Sequence, residues 1–402
     1  MENPKIRFKG FTKDWEQRKL GDVIDDMYNG QTPSRNKSEY WNGTIKWLSS
    51  GELNRGTVYD SIEMITEEGQ KAANLKIVPK GTFVMAITGL EAAGTRGNCA
   101  LLGFDTTLNQ SCMALFPKQE MLTSEFLFQW YRKVGEEYGI NYTQGTKQQS
   151  YNAELIKILP ISLPSVGEQR KIFSYLSHLD HLITLHQRKC DQTKNLKKYM
   201  LQKMFPQNGA KVPKIRFDGY TYDWEQRKLG DVFKEYSEKN HTELSALTII
   251  QGGGTVKRED SDRNLMYDTS NLSNYKMVRK DDFIVHLRSF EGGLEKSSLD
   301  GIISPAYHTF HSDMADSRFY YPYFRSYEFI KHKLVPHVYG IRDGRSIDID
   351  GMKTIEIPYT SIEEQRKIGD YLDCLDHLIT LHQRKCDELK KMKKYMLQNM
   401  FI

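Results

Sequence analysis

The sequence is poor in the features that mark secreted, membrane and metal-binding proteins. Its 402 residues include five cysteines and no Cys-x-x-Cys pair, which argues against a disulfide framework or a zinc ribbon. No run of ten apolar residues occurs and the first residues are polar, so we expect neither a membrane span nor a secretory signal. The net charge of +5 permits a nucleic-acid partner without requiring one. We therefore expect a globular protein of the cytoplasm.

Several sequence signatures of catalysis are also missing. Glycine is never followed by lysine, which excludes a Walker A loop. No two prolines are adjacent and no proline precedes an aspartate. These absences argue against the Asn/Asp-Pro-Pro-aromatic loop of amino-methyltransferases and the commonest start of a PD-(D/E)xK nuclease core. His181 and His186 would lie about 140° apart around a helix and cannot share a metal. We expect no catalytic residue, metal or cofactor on this chain.

What the sequence does contain is a copy of itself. Residues 4–23 recur at 213–232 with seventeen of twenty positions identical, and residues 168–205 recur at 364–401 with twenty-nine of thirty-eight identical. The segments between these ends look unlike each other. Drift after a duplication would not spare only the ends, so some constraint fixes the ends and leaves the middles free.

The second repeated segment has the pattern of a long helix. Ser165 and Ser361 precede Glu168 and Glu364 by three residues, which is the capping-box pattern of a helix start. Apolar residues then recur at alternating steps of four and three, a spacing typical of a coiled coil. A helix of about 40 residues needs a partner along its length, and the nearest is its own repeat, antiparallel about a pseudo-two-fold axis. We predict an α+β fold in which two mixed α/β domains are joined by two antiparallel helices that form a coiled coil.

Short phrases in a fixed order connect this chain to a known family. They include the segment 15–22 with its copy at 224–231, and a strand followed by an EQRKI helix start at 157–172 and again at 353–368. The middles contribute further phrases: Gly43–Trp47, Val78–Thr82 and Asn109-Gln110 in the first, and Ile303–Tyr307 in the second. Over its whole length the sequence resembles the specificity (S) subunit of Type I restriction-modification systems, HsdS.

The resemblance implies a division of labour along the chain. It implies a target recognition domain at 1–164, a long helix at 165–205, a linker at 206–212, a second target recognition domain at 213–360 and a second helix at 361–402. Each recognition domain would read one half of a bipartite, asymmetric site on double-stranded DNA. The helices would set the gap and dock two modification (HsdM) subunits, which bind S-adenosylmethionine and methylate adenine. Restriction (HsdR) subunits would add cleavage driven by ATP with magnesium.

Two other functions stay open at this point. One is a protein scaffold whose variable domains never touch DNA, and the other is a methyltransferase or nuclease with fused recognition domains. The missing catalytic signatures argue against the second. Unlike middles on constant ends favour a reader of DNA, because base contacts specify a sequence while phosphate contacts only position the protein.

The candidate DNA contacts lie in polar, glycine-containing loops before the last strand of each domain. Glutamine can bond adenine with two hydrogen bonds and arginine can bond guanine in the same way. The first loop contributes Gln144, Thr146, Lys147, Gln148 and Gln149, and the second contributes Arg342 and Arg345. Weaker candidates are Lys46, Arg96, Lys257, Arg288, Tyr307 and His308.

Overall fold

The computed structural model describes residues 3–92, 94–145, 149–207, 210–261, 269–286, 293–340 and 346–402. The chain forms two compact units. The first comprises Met1–His186 together with Lys385–Ile402, and the second comprises Gln187–Arg384. The end of the second helical repeat therefore belongs to the same unit as the start of the chain. Within the described residues, no helix is both long and apolar enough to cross a membrane.

The first unit contains a five-stranded sheet, a three-stranded sheet and a separate strand pair. Its strands are β1 (Glu16–Lys19), β2 (Ile24–Asn29), β3 (Trp41–Leu48), β4 (Thr57–Val58), β5 (Glu63–Ile65), β6 (Phe83–Ala86), β7 (Cys99–Leu102), β8 (Thr107–Leu108), β9 (Cys112–Pro117) and β10 (Pro160–Leu163). Its helices are α1 (Glu67–Ala72), α2 (Ser124–Asn141), α3 (Ala153–Lys157) and the first part of α4 (Val166–Lys203). The large sheet has the order β2-β9-β6-β7-β4 and the smaller one β5-β3-β8. Helix α2 packs on the large sheet, where the rings of Tyr131 and Phe83 meet edge to face at 5.7 Å.

Among its described residues, the second unit contains a four-stranded sheet and four two-stranded pairs. Its strands are β11 (Glu225–Lys228), β12 (Lys234–Tyr236), β13 (Leu247–Ile250), β14 (Gly254–Lys257), β15 (Lys276–Val278), β16 (Phe283–His286), β17 (Glu295–Lys296), β18 (Gly301–Ile303), β19 (Tyr307–His311), β20 (Val338–Tyr339), β21 (Ser346–Ile347) and β22 (Glu356–Tyr359). Its helices are α5 (Leu229–Val232), α6 (Ser317–Phe324), α7 (Ile349–Lys353) and most of α8 (Ile362–Asn399). The order β12-β19-β16-β17 matches β2-β9-β6-β7 strand for strand. The segments between the repeated ends thus share one strand order although their sequences look unlike.

One turn shows how this common frame was hidden in the sequence. Residues 78–83 read VPKGTF and residues 278–283 read VRKDDF, and each segment leads into a central strand, β6 or β16. The left-handed backbone position of this turn is Gly81, with φ 85°, in the first unit and Asp281, with φ 72°, in the second. Aspartate is among the few residues other than glycine that tolerate this conformation. The same turn is therefore built from different residues.

The first unit pairs the start of α4 with the end of α8. The Tyr175 hydroxyl lies 3.8 Å from the Met392 sulfur, and the Cys386 sulfur lies 4.0 Å from the Ile183 carbonyl oxygen. Residue numbers rise along α4 while they fall along α8, so the two segments run antiparallel. Ile172, Leu176 and Leu179 of the predicted apolar seam are buried here.

The second unit pairs the end of α4 with the start of α8 in the same way. The Cys190 sulfur lies 3.8 Å from the Ile379 carbonyl oxygen, and Lys197 binds Asp376 at 2.6 Å. The order of these contacts again shows antiparallel segments. The prediction of an α+β fold with two long antiparallel helices is confirmed.

The constant segment at the start of each repeat binds the start of a long helix. Arg7 Nε donates to Glu168 Oε1 at 2.7 Å, and Arg216 Nε donates to Glu364 Oε1 at 2.7 Å. Both carboxylates are buried, with 1% of the side chain exposed. Only one of the two hydrogen bonds of the predicted capping box is therefore found among the described residues. Ser165 Oγ accepts from the backbone N–H of Glu168 at 3.4 Å, but the Glu168 carboxylate binds Arg7 instead of the backbone N–H of Ser165.

The same constant segments also bind the end of a long helix. In the first unit the N–H of Ile6 donates to the carbonyl oxygen of Asn399 at 2.9 Å, and in the second the N–H of Ile215 donates to that of Lys203 at 2.9 Å. Constant residues therefore contact constant residues in both units. This mutual contact explains why both ends of the repeat stayed alike while the middles diverged.

Candidate nucleic-acid interface

The loop predicted to read DNA in the first unit is closed by a backbone bridge. Gln144 and Ser150 exchange two backbone hydrogen bonds, at 3.0 and 2.9 Å. Asn152 follows and caps α3 by accepting from the N–H of Leu155 at 2.8 Å. The short helix then leads into β10, which pairs with β1. Thr146, Lys147 and Gln148 lie outside the described residues.

In the second unit the predicted loop lies at the equivalent position, before the short helix and the last strand. Strands β20 and β21 pair Val338 with Ile347 and Tyr339 with Ser346, and this ladder encloses residues 340–345. Asp348 then caps α7 by accepting from the N–H of Gly351 at 3.0 Å, and β22 pairs with β11. Arg342 and Arg345, together with the weaker candidate Arg288, lie outside the described residues.

Two of the candidates in the first unit meet at a residue that the sequence did not single out. The Glu91 carboxylate accepts from the N–H of Gln149 at 3.2 Å, and the Glu91 carbonyl oxygen accepts from Arg96 Nη2 at 2.7 Å. Arg96 also packs along α2, because a methyl group at Gly139 would lie 3.2 Å from its Cγ. The sequence feature that could have pointed to Glu91 is the glycine-rich segment 89–97 around it. In sequence, that segment resembles an ordinary turn.

Two buried polar atoms in this cluster have no hydrogen-bond partner among the residues that the structure describes. They are Arg96 Nε and Gln149 Oε1. A buried polar group left without a partner costs about 1–3 kcal/mol. The cluster therefore carries an uncompensated desolvation cost at these two atoms.

Lys46 lies elsewhere in the first unit, on β3 of the smaller sheet. It forms an ion pair with Asp60, and its ammonium group lies 5.3 Å from the centre of the Phe104 ring. The hydrogen bond from Lys46 lowers the pKa of the Asp60 carboxyl. Asp60 therefore neutralises part of the charge that Lys46 would offer to a DNA phosphate.

The weaker candidates of the second unit have structural partners. His308 Nδ1 lies 2.5 Å from Glu235 Oε1, and Lys257 lies 3.8 Å from Glu259. Tyr307 is half-buried against a small apolar cluster, and desolvation raises the pKa of its hydroxyl. Tyr307 and His308 therefore support strand β19 and its neighbours.

The described residues contain no group of three or more His, Cys, Asp or Glu side chains that could hold a metal ion. The cysteines are free thiols: Cys99, Cys112, Cys190 and Cys386 are buried and Cys374 is exposed. Burial raises the pKa of the Cys99 thiol to about 12. Such a thiol is not a nucleophile near neutral pH.

Sequence comparison finds one family twice in this chain. The model of the Type I restriction modification DNA specificity domain matches residues 12–195 and 222–391. The MjaVIII specificity subunit of Methanocaldococcus jannaschii is 24% identical over 404 residues, which cover 96% of this chain and 91% of that protein. The MjaIX specificity subunit of the same organism is 30% identical over 242 residues, 57% of this chain and 54% of that protein. This chain thus spans about half the length of MjaIX in that match.

Solved structures share the fold. The Type I restriction-modification S subunit from M. genitalium matches with a TM-score of 0.61 and 15% identity, over 100% of this chain and 99% of that one. A chain from a structure on complex assembly and conformational transition of the Type I system matches with a TM-score of 0.50 and 19% identity, over 97% and 98%. The family model matches once in each half of the chain, and the two units share one strand order. This chain therefore belongs to the Type I restriction-modification DNA specificity family, whose members recognise DNA sequence and are not themselves catalytic.

Proposed function

We propose that each unit of this chain reads one half of a bipartite, asymmetric DNA site on behalf of modification subunits that carry the catalytic centre. One observation supports this most strongly: the two units share a strand order, yet the loops at equivalent hairpins differ in sequence. The first loop is rich in glutamine and the second contains two arginines. Glutamine favours adenine and arginine favours guanine, so unlike loops predict unlike half-sites.

The long helices suit the role of a spacer between half-sites. Each contains 38 residues, which gives a length of about 57 Å at 1.5 Å per residue. One turn of DNA measures about 34 Å. A helix of this length is long enough to span the distance between two half-sites on one face of the duplex.

The helices also present a surface fit for two copies of one partner. Each unit exposes the same side chains, identical at positions 196 residues apart. In the second unit these are Lys189, Asp191, Lys194, Lys198, Tyr199, Gln202, His377 and Thr380, and in the first they are Lys385, Asp387, Lys390, Lys394, Tyr395, Gln398, His181 and Thr184. Packing inside this chain does not require exposed residues to stay identical. We propose that one HsdM subunit binds each surface.

The tyrosines are the best anchors for this contact. Tyr199 is 49% exposed and Tyr395 is 56% exposed, and large aromatic side chains often dominate the energy of protein interfaces. Substituting Tyr199 with serine is expected to remove one of two HsdM subunits, and substituting Tyr395 is expected to remove the other. Native mass spectrometry of the purified complex measures this directly. Retention of both subunits in the double variant would locate the docking surface elsewhere.

The chemistry then belongs to the partners. We propose that S-adenosylmethionine binds HsdM, and that ATP and magnesium act on HsdR when restriction subunits join the complex. We propose that the protein acts in the cytoplasm. Free cysteine thiols are typical of that reducing compartment, and the proposed DNA substrate lies there.

Footprinting and methylation together test this function. The complex with HsdM is expected to protect two patches of DNA separated by a gap and to methylate adenine there, while the chain alone transfers no methyl group. Protection of no DNA would favour a protein scaffold. Methyl transfer by the chain alone would favour a fused enzyme.

A further inference from the structure

In the first unit, described residues of the segment between β6 and β7 contact the base of the predicted reading hairpin. Thr88 pairs with Ser150 as an isolated antiparallel bridge, and the N–H of Leu90 donates to the Gln149 carbonyl oxygen at 3.1 Å. The segment is also held internally, because Thr95 Oγ1 donates to the Ala92 carbonyl oxygen at 2.9 Å. These contacts fix the described ends of the segment against the base of the hairpin.

Glu91 occupies the junction of these two loops and is exposed. One carboxylate oxygen, Oε2, accepts from the N–H of Gln149 at 3.2 Å. No contact of the other oxygen is found within the described part of the chain. The carbonyl oxygen of Glu91 holds Arg96. This exposed residue thus has one carboxylate oxygen left over as an acceptor, between two residues expected to bind DNA.

The chemistry of a carboxylate restricts what it can bind on a DNA surface. Phosphates repel it, so a carboxylate in such a place costs affinity unless it accepts from a donor on a base. In the major groove, adenine presents its amino donor beside the N7 acceptor, which a carboxylate cannot pair with. Cytosine presents an amino donor alone.

We infer that Glu91 specifies a cytosine in the half-site of the first unit, accepting a hydrogen bond from its amino group through Oε1. The inference rests on the proposed function and adds a reading residue to it. In this role Glu91 also positions Gln149 and Arg96, which flank it.

A glycine beside Glu91 supports close approach of another molecule. Among the residues that the structure describes, a methyl group added at Gly94 would meet nothing within 4 Å, and the φ of Gly94 lies outside the left-handed region. Neither packing against the described residues nor the backbone conformation at Gly94 requires glycine there. Glycine at such a point lets another molecule come near the backbone.

Two variants at Glu91 separate base reading from support of the loop. Glu91→Gln keeps the acceptor for the Gln149 N–H but adds a donor, so it matches adenine. Glu91→Ala removes both functions. The complete complex is expressed with each variant, and the methylated sites are sequenced. We expect Glu91→Gln to lose about tenfold in preference for cytosine at one position and to gain adenine there. We expect Glu91→Ala to accept any base at that position.

Glu137→Gln is the matched control, since Glu137 is exposed on α2 in the same unit. Its methylated sequence is expected to stay that of the wild type. An unchanged sequence in both Glu91 variants would overturn the inference, as would a change in both half-sites. Loss of all methylation in both variants at an unchanged unfolding temperature would also overturn it. Absence of methylation by the wild-type complex would contradict the proposed function instead.

Discussion

Lys197 of α4 binds both carboxylate oxygens of Asp376 on α8 at 2.6 Å in the second unit. The equivalent residues of the first unit, Lys393 and Asp180, form the same ion pair. In the second unit the lysine lies on α4 and the aspartate on α8. In the first unit the lysine lies on α8 and the aspartate on α4. The helix contacts are thus self-complementary, which is what a duplicated half requires to pair with its copy.

The two ion pairs are expected to differ in strength. Lys393 is 8% exposed and Lys197 is 22% exposed, and Arg132 also binds Asp180 at 2.7 Å. Removing Asp180 leaves the buried Lys393 and the part-buried Arg132 without this counter-charge. Asp180→Ala should lower the free energy of unfolding by about 3 kcal/mol, whereas Asp376→Ala should lower it by about 1 kcal/mol.

Urea unfolding followed by hydrogen exchange checks this difference unit by unit. Combining Asp180→Ala with Lys393→Met should recover part of the loss, because the buried ammonium group is then gone. Equal losses at the two sites would contradict a stronger pair in the first unit.

A half-chain of residues 1–207 should form a homodimer. Lys197 of one copy can take the place of Lys393 beside Asp180 of the other, because the repeats place the same residue there. With HsdM, this dimer should methylate a palindrome, since both copies read the same half-site. Light scattering gives the oligomeric state and methylome sequencing gives the target.

Charge reversal provides the control for the half-chain. Lys197→Asp should leave it monomeric, and adding Asp180→Lys should restore the dimer. A monomeric wild-type half would show that the repeats are not interchangeable.

His311 makes the stability of the second unit depend on pH. The hydrogen bond with Asp282 raises the pKa of the imidazole above its usual 6.5, with a further contribution from Asp313. This stabilisation is complete below the unfolded pKa and is lost as pH rises through the raised pKa. Urea midpoints should therefore fall from pH 6 to pH 9 by more in the wild type than in His311→Gln. Equal slopes would exclude His311 as the cause.

The two arginines of the second loop should act on one half-site only. Arg342→Ala or Arg345→Ala should relax one or more positions of that half by about 1–3 kcal/mol per base pair. The sequences methylated by each variant complex report this. Loss at both halves would mean that the loop supports the fold.

The long helices could be predicted because their capping serines and apolar seam are local patterns. The burial of Glu168 by Arg7 could not, since these residues are far apart in sequence. Likewise, no local sequence pattern predicts the ion pair between Lys46 and Asp60. The shared frame of the middles was also hidden, because turns such as those at Gly81 and Asp281 are made from different residues. For the proposed DNA contacts, the sequence predicted two loops that the structure places at equivalent points of the two units. It gave no sign of the proposed contact at Glu91, whose partners Gln149 and Arg96 meet it only on folding.

Sequencing the sites methylated by the intact complex tests most directly whether each unit reads its own half-site. A chain whose first middle, residues 24–167, is replaced by a copy of residues 233–363 provides the comparison. The wild type should methylate a gapped, asymmetric sequence, and the replaced chain a gapped palindrome of the second half-site. A contiguous wild-type site, or an unchanged site in the replaced chain, would contradict two independent readers.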